Sequence, residues 1–137
     1  MLRTSSSSKD SVAKLVTMGD GVVVTFKGFI PLTDIHAWSE KLVTLGKINW
    51  AIINVTDLRG VESTGWKNVE MGIKKLKKRG MQRFVIVYND SDTFKLFTKF
   101  CKNAGVFSMM EYIDTRKRDY NQTKVVTFLK ENWDKKK

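Results

Sequence analysis

The chain has 137 residues, 42% of them hydrophobic and 28% charged, with a formal net charge of +11. That length fits one domain with a core of its own. A lone cysteine, Cys101, excludes an internal disulfide and a thiolate metal cluster, and no apolar run reaches the ~20 residues that span a bilayer.

In chain order, residues 1–10 read as a flexible Ser-rich tail with no apolar signal segment, so a cytoplasmic, reducing setting is expected. Ser11–Thr17 and Gly21–Lys27 are rich in Val and Thr around Met18-Gly19-Asp20-Gly21, the pattern of a β-hairpin. Thr33 or Asp34 can cap a helix that runs to Leu45, with Ile35, Trp38, Leu42 and Leu45 on one face and Gly46 after it. Ile48–Val55 reads as a strand buried on both faces. A loop, DLRGVESTGWKNVE (57–70), then enters a helix with Trp66, Val69, Ile73 and Leu76 inward and lysines elsewhere. Glu70 and Lys74 make a favourable i,i+4 pair, and Gly80 stops the helix. Phe84–Tyr88 is the next strand. Asp90, Ser91 or Asp92 caps a helix with Phe94, Phe97, Phe100, Cys101 and Ala104 inward, ended by Gly105. A strand over Val106–Ile113 and a helix over Lys117–Trp133 follow, the latter with Tyr120, Val125, Phe128 and Leu129 toward the core; 134–137 is a basic tail. The order ββαβαβαβα predicts an α/β fold: a mostly parallel central sheet, an antiparallel N-terminal hairpin, and helices packed on the sheet.

Three stretches carry a family resemblance: the hairpin VAKLVTMGDGVVVTFKG, the central strand INWAIINVTDL, and VESTGWKNV at a helix start. Over residues 11–133 the chain resembles the STAS domain, the fold of bacterial anti-sigma factor antagonists. The last stretch is similar to that family's Asp-Ser-Ser-Gly signature. There the second hydroxyl is phosphorylated by a serine kinase that is also the anti-sigma partner, and phosphorylation breaks the complex. The resemblance sets Glu62 at the Asp position, Ser63 at the first hydroxyl, Thr64 at the phosphorylated one and Gly65 at the Gly. Glu62 is one methylene longer than Asp, and Trp66 stands where a smaller apolar residue is usual. What the resemblance implies is a non-enzymatic regulatory protein–protein interaction domain, with Thr64, or else Ser63, as acceptor. Related stand-alone STAS domains serve as accessory subunits of lipid-transport complexes, which is one alternative, and a small-ligand-binding domain is the other.

The residues themselves leave both readings of the hydroxyls open. Ser or Thr at a helix start caps a backbone N–H for about 1 kcal/mol, and a phosphate there meets free N–H groups and the positive end of the dipole. The expected partner face comprises Asp57, Arg59, Glu62, Gly65 and Lys67 at the loop and helix start, with Lys74, Lys78, Lys95 and Lys99 along two helices. The lysine stripes 67/74/78 and 95/99/102 suit an acidic partner or an anionic membrane surface, or are simply solvated. The charge is also lopsided: residues 1–66 carry seven basic and six acidic side chains, residues 67–137 eighteen and eight. Nucleic acid is not favoured, because the aromatics fall on inward faces and no recognition motif appears. His36 has no acid or nucleophile pattern around it, so neither catalysis nor a metal is expected. Asp57, Glu62, Asp90 and Asp92 fall at strand ends, where α/β proteins bind small ligands, but no Gly-rich phosphate loop accompanies them and no cofactor is expected.

Overall fold

The alternating Val, Thr and Phe of residues 21–30 and the apolar run from Trp50 become the middle of a five-stranded sheet. A computed structural model describes residues 12–136, with side chains through residue 131. The tail expected over 1–10, the hairpin's first residue Ser11, and the side chains of Trp133 and 134–137 lie outside the described residues.

The strands are β1 (Val12–Met18), β2 (Gly21–Ile30), β3 (Trp50–Val61), β4 (Arg83–Tyr88) and β5 (Met110–Asp114), side by side in chain order. β1 and β2 are antiparallel, in register from Val12↔Lys27 to Met18↔Gly21, and every later pair is parallel. The helices are α1 (Leu32–Leu42), α2 (Gly65–Lys78), α3 (Ser91–Ala104) and α4 (Gln122–Lys136). The element order is the one expected.

Each face of the sheet has its own core. On one face Ile35, Trp38 and Leu42 of α1, Val69, Ile73 and Leu76 of α2, and Phe97 and Cys101 of α3 cover Val24, Phe26, Ile53 and Ile86. Burial of each large side chain contributes about 1.5–3 kcal/mol. α1 and α2 approach closely, because a Cβ on Gly72 would lie 2.3 Å from the Trp38 ring. On the other face Leu129 of α4 packs with Val23, Trp50, Ile52, Val85, Val87 and Ile113.

Several boundaries differ from expectation. α1 begins after Pro31, with no side-chain cap from Thr33 or Asp34. It stops at Leu42, short of Leu45 and Gly46, because the terminal carbonyls find other donors: the Thr44 hydroxyl reaches Lys41 O at 2.7 Å and Arg79 reaches Val43 O at 2.8 Å. β3 does not end at Val55. It continues to Val61 beside β2, past its last β4 pair (Asn54↔Val87), with register shifts at Thr25/Lys27 and Gly28/Phe29. Residues 107–109 form a 3-10 turn before β5 rather than part of a strand. α4 starts at Gln122, after Asn121 Oδ1 accepts the Lys124 N–H at 3.0 Å, and it continues past Trp133. Phe128, expected in the core, is 46% exposed beneath the Arg83 guanidinium.

Candidate functional site

The motif residues gather where β3 turns into α2. Asp57 and Arg59 are exposed on the last part of β3, Val61 is buried, and residues 62–64 make the turn. Gly65 is buried at the first position of α2. A Cβ there would lie 2.5 Å from Val61 Cγ1, so the turn closes tightly only around a residue without a side chain. Its N–H donates to Glu62 O at 2.6 Å, while the Glu62 N–H donates to Ile30 O at 3.0 Å and so extends the β2–β3 pairing.

The Glu62 side chain does something the sequence does not announce. Its Oε1 accepts the Leu32 N–H at 2.8 Å, satisfying a free donor at the start of α1 and placing a carboxylate at the positive end of that helix. The hydroxyls do not cap. Thr64 holds the N-cap position of α2 with φ −83° and ψ −8°, helical angles rather than the extended ones a capping side chain needs, and it makes no cap bond. Ser63 and Thr64 are both exposed, and neither hydroxyl is hydrogen-bonded among the described residues. The large Trp66 ring is taken up between α2 and α3, its centroid 6.1 Å from Phe97 and 5.7 Å from Phe100. Beside it a notch of about 140 Å³ remains, lined among others by Arg59, Trp66, Asp92 and Leu96.

The lysine stripes lie on neighbouring helices. α2 packs on α3, and Asn103 Nδ2 donates to Glu70 Oε1 at 3.2 Å across them. Lys74 pairs with Glu70 at 3.5 Å, the i,i+4 contact expected. Lys67, Lys78, Lys95 and Lys99 are exposed with no ion pair among the described residues.

The strand-end acids do not converge. Asp90 Oδ2 accepts the Thr93 N–H at 2.9 Å as the N-cap of α3, and that bond and the one from the Thr93 hydroxyl hold its carboxyl below the usual range. Glu62 is committed to α1, and no group of three potential metal ligands occurs among the described residues. Burial pushes the Cys101 thiol up to about 12, which leaves it an unreactive part of the core.

The sequence reading missed two further clusters. Asp114 and Arg116 form a bidentate pair (2.9 and 2.8 Å), and Arg116 draws the Asp114 carboxyl down to about 2. The i,i+2 spacing of opposite charges after a strand was the available signal. Tyr88 stacks on Phe94 with centroids 4.3 Å apart, and Tyr112, 54% exposed, closes on Phe94 at 5.0 Å. Residues from three elements meet there, so no local pattern marks it.

No family model and no curated relative matches the sequence. Solved structures do. The anti-sigma factor antagonist SpoIIAA in its unphosphorylated form superposes with a TM-score of 0.58 at 17% identity, covering 87% of this chain and 98% of that one. The order of strands and helices described above is shared with it. The chain has the STAS-like fold of SpoIIAA. The phosphorylated form of SpoIIAA, described as a Bacillus cell fate determinant, gives 0.56 at 19% identity, over 77% of this chain and 95% of that one. An uncharacterized protein from Shewanella loihica PV-4 with a SpoIIAA-like fold, from the DUF3478 family, gives 0.56 at 13% identity, over 86% and 92%. At such identities the likeness of this STAS-like domain is one of fold. None of its described helices is long and apolar enough to cross a membrane.

Proposed function

We propose that this domain is a cytoplasmic, non-enzymatic regulator that works by binding a protein partner and is switched by phosphorylation of Thr64, or else Ser63. The observation that carries the reading is the state of the two hydroxyls. They stand exposed at the start of α2, free of the capping bond that would give them a structural purpose. A phosphate there adds about −1.5 to −2 charges close in the chain to Arg59 and Lys67 and at the positive end of the α2 dipole, so the fold tolerates it while the docking face changes. The docking face comprises Asp57, Arg59, Glu62 and Lys67, around the turn that the buried Gly65 closes, with Lys74, Lys78, Lys95 and Lys99. The family resemblance makes an anti-sigma factor with serine-kinase activity the first partner to try. Intact-mass measurement of the protein from its native host, with fragmentation across residues 57–70, tests this. Phosphate on Thr64 or Ser63 supports the switch, and an unmodified peptide under all growth conditions overturns it.

A second reading is an accessory subunit of a lipid-transport or membrane complex. It draws on the exposed lysines of α2 and α3 that lack ion pairs among the described residues. Sedimentation with phosphatidylglycerol vesicles but not phosphatidylcholine vesicles, lost on raising the salt, is its expected signature.

A further inference from the structure

The second face of the sheet is covered by α4, and the cover is incomplete. Leu129 is fully buried, while Val125 and Val126 are only half-buried. Between the first turns of α4 and β5 a cleft of about 320 Å³ remains, in the lower range for small-molecule sites. Its floor is apolar: Val85 and Ile113 from the sheet, Val125 and Phe128 from the helix.

Its rim carries two cations and two acids. Arg118 and Lys124 both line it and are exposed. Lys124 has no side-chain hydrogen bond or ion pair among the described residues, and Arg118 makes only a 3.4 Å bond to the Tyr112 carbonyl. Of the two rim acids, Glu111 is already ion-paired with Arg83, whose guanidinium sits 5.6 Å above the Phe128 ring. That leaves Asp119 against two available cations. An apolar floor with surplus positive charge at one edge suits a ligand with a short hydrocarbon body and a negative head, since the head forms charge-assisted hydrogen bonds without being drawn into the apolar interior.

We infer that the α4–β5 cleft binds a small amphipathic carboxylate. The inference is independent of the hydroxyls at α2 and stands or falls without them. The test is a titration of octanoate, below its micelle concentration, into the full chain, followed by NMR of methyl and aromatic resonances. Octylamine is the charge-reversed control. The expected result is saturable shifts centred on Ile113, Val125 and Phe128, with octylamine at least tenfold weaker. The double variant Arg118→Glu with Lys124→Glu alters two exposed side chains and is expected to fold normally. It should weaken octanoate at least tenfold, the order of magnitude for losing charge-assisted contacts. Val125→Trp, which fills the cleft, should abolish binding while leaving the resonances of α2 and α3 in place. Absence of shifts, shifts centred on the lysines of α2 and α3, or equal binding of octylamine would overturn the proposal.

Discussion

Removal of the Glu62 carboxylate leaves the Leu32 N–H at the start of α1 without its partner. Glu62→Ala should therefore lower stability by about 1 kcal/mol, the usual cost of a lost cap. Thr64→Ala should change it by less than about 0.5 kcal/mol, because the Thr64 side chain caps nothing. Urea unfolding of the two variants side by side separates them, and a costly Thr64→Ala would mean the hydroxyl is structural. Asp114 behaves differently. The Arg116 hydrogen bonds hold it at about 2 against 3.8 for an ordinary carboxyl. The folded state thus binds this proton more weakly than the unfolded state. The stabilisation is complete above about pH 4 and is lost as pH falls toward about 2. The stability gap between wild type and Asp114→Asn should close over that window in urea melts at stepped pH, and a gap independent of pH would show the pair to be inert. At this scale the sequence was readable by residue type only. Ser63 and Thr64 looked like caps because hydroxyls at helix starts usually are. The carboxylate that does cap serves a helix thirty residues earlier in the chain, a partnership only folding creates.

Among the elements, α1 and α2 meet at close range. Trp38 fills the space a side chain at position 72 would need, and it also meets Phe26 edge-on at 5.0 Å. Gly72→Ala should destabilise by about 1–3 kcal/mol through overpacking, although it improves helix propensity. Trp38→Leu in the same chain should recover part of that loss, and a double-mutant cycle in chemical denaturation measures the coupling. If the two costs simply add, the contact is not the cause. Helices with a clear apolar face, such as α2 and α3, were legible nearly to the residue, and Gly105 ends α3 at φ 75° as expected. The sequence understates the C-terminal reach of β3 because Asp57, Arg59 and Gly60 look like a loop. They are held extended by β2 alone, and that pairing has no local signature.

For the whole molecule, the architecture was legible because hydrophobic period and glycine punctuation alternate cleanly along the chain. The unequal covering of the two faces was not. Among the described residues, three helices cover one side of the sheet and α4 covers the other, with Phe128 and Tyr112 left largely exposed at its edge. Backbone amides of α4 should consequently exchange with solvent at lower protection than those of α2, whose Val69, Ile73 and Leu76 are fully buried. Native-state hydrogen exchange followed by NMR checks this, and equal protection would show that the two faces open as one unit.

The spatial order of the strands repeats their order of synthesis, from β1 at one edge to β5 at the other. A chain leaving the ribosome N-terminus first can add each strand to the open side of those already formed, with no insertion between earlier neighbours. Helices α1 to α3 arrive between strands and cover their side as it grows. Among the described residues, the Trp50, Ile52 and Val85 side gains its helical cover only when Leu129 emerges. During translation the nascent domain therefore carries a growing oily plane, and it is at that stage, more than in the finished fold, that this protein would call on a chaperone.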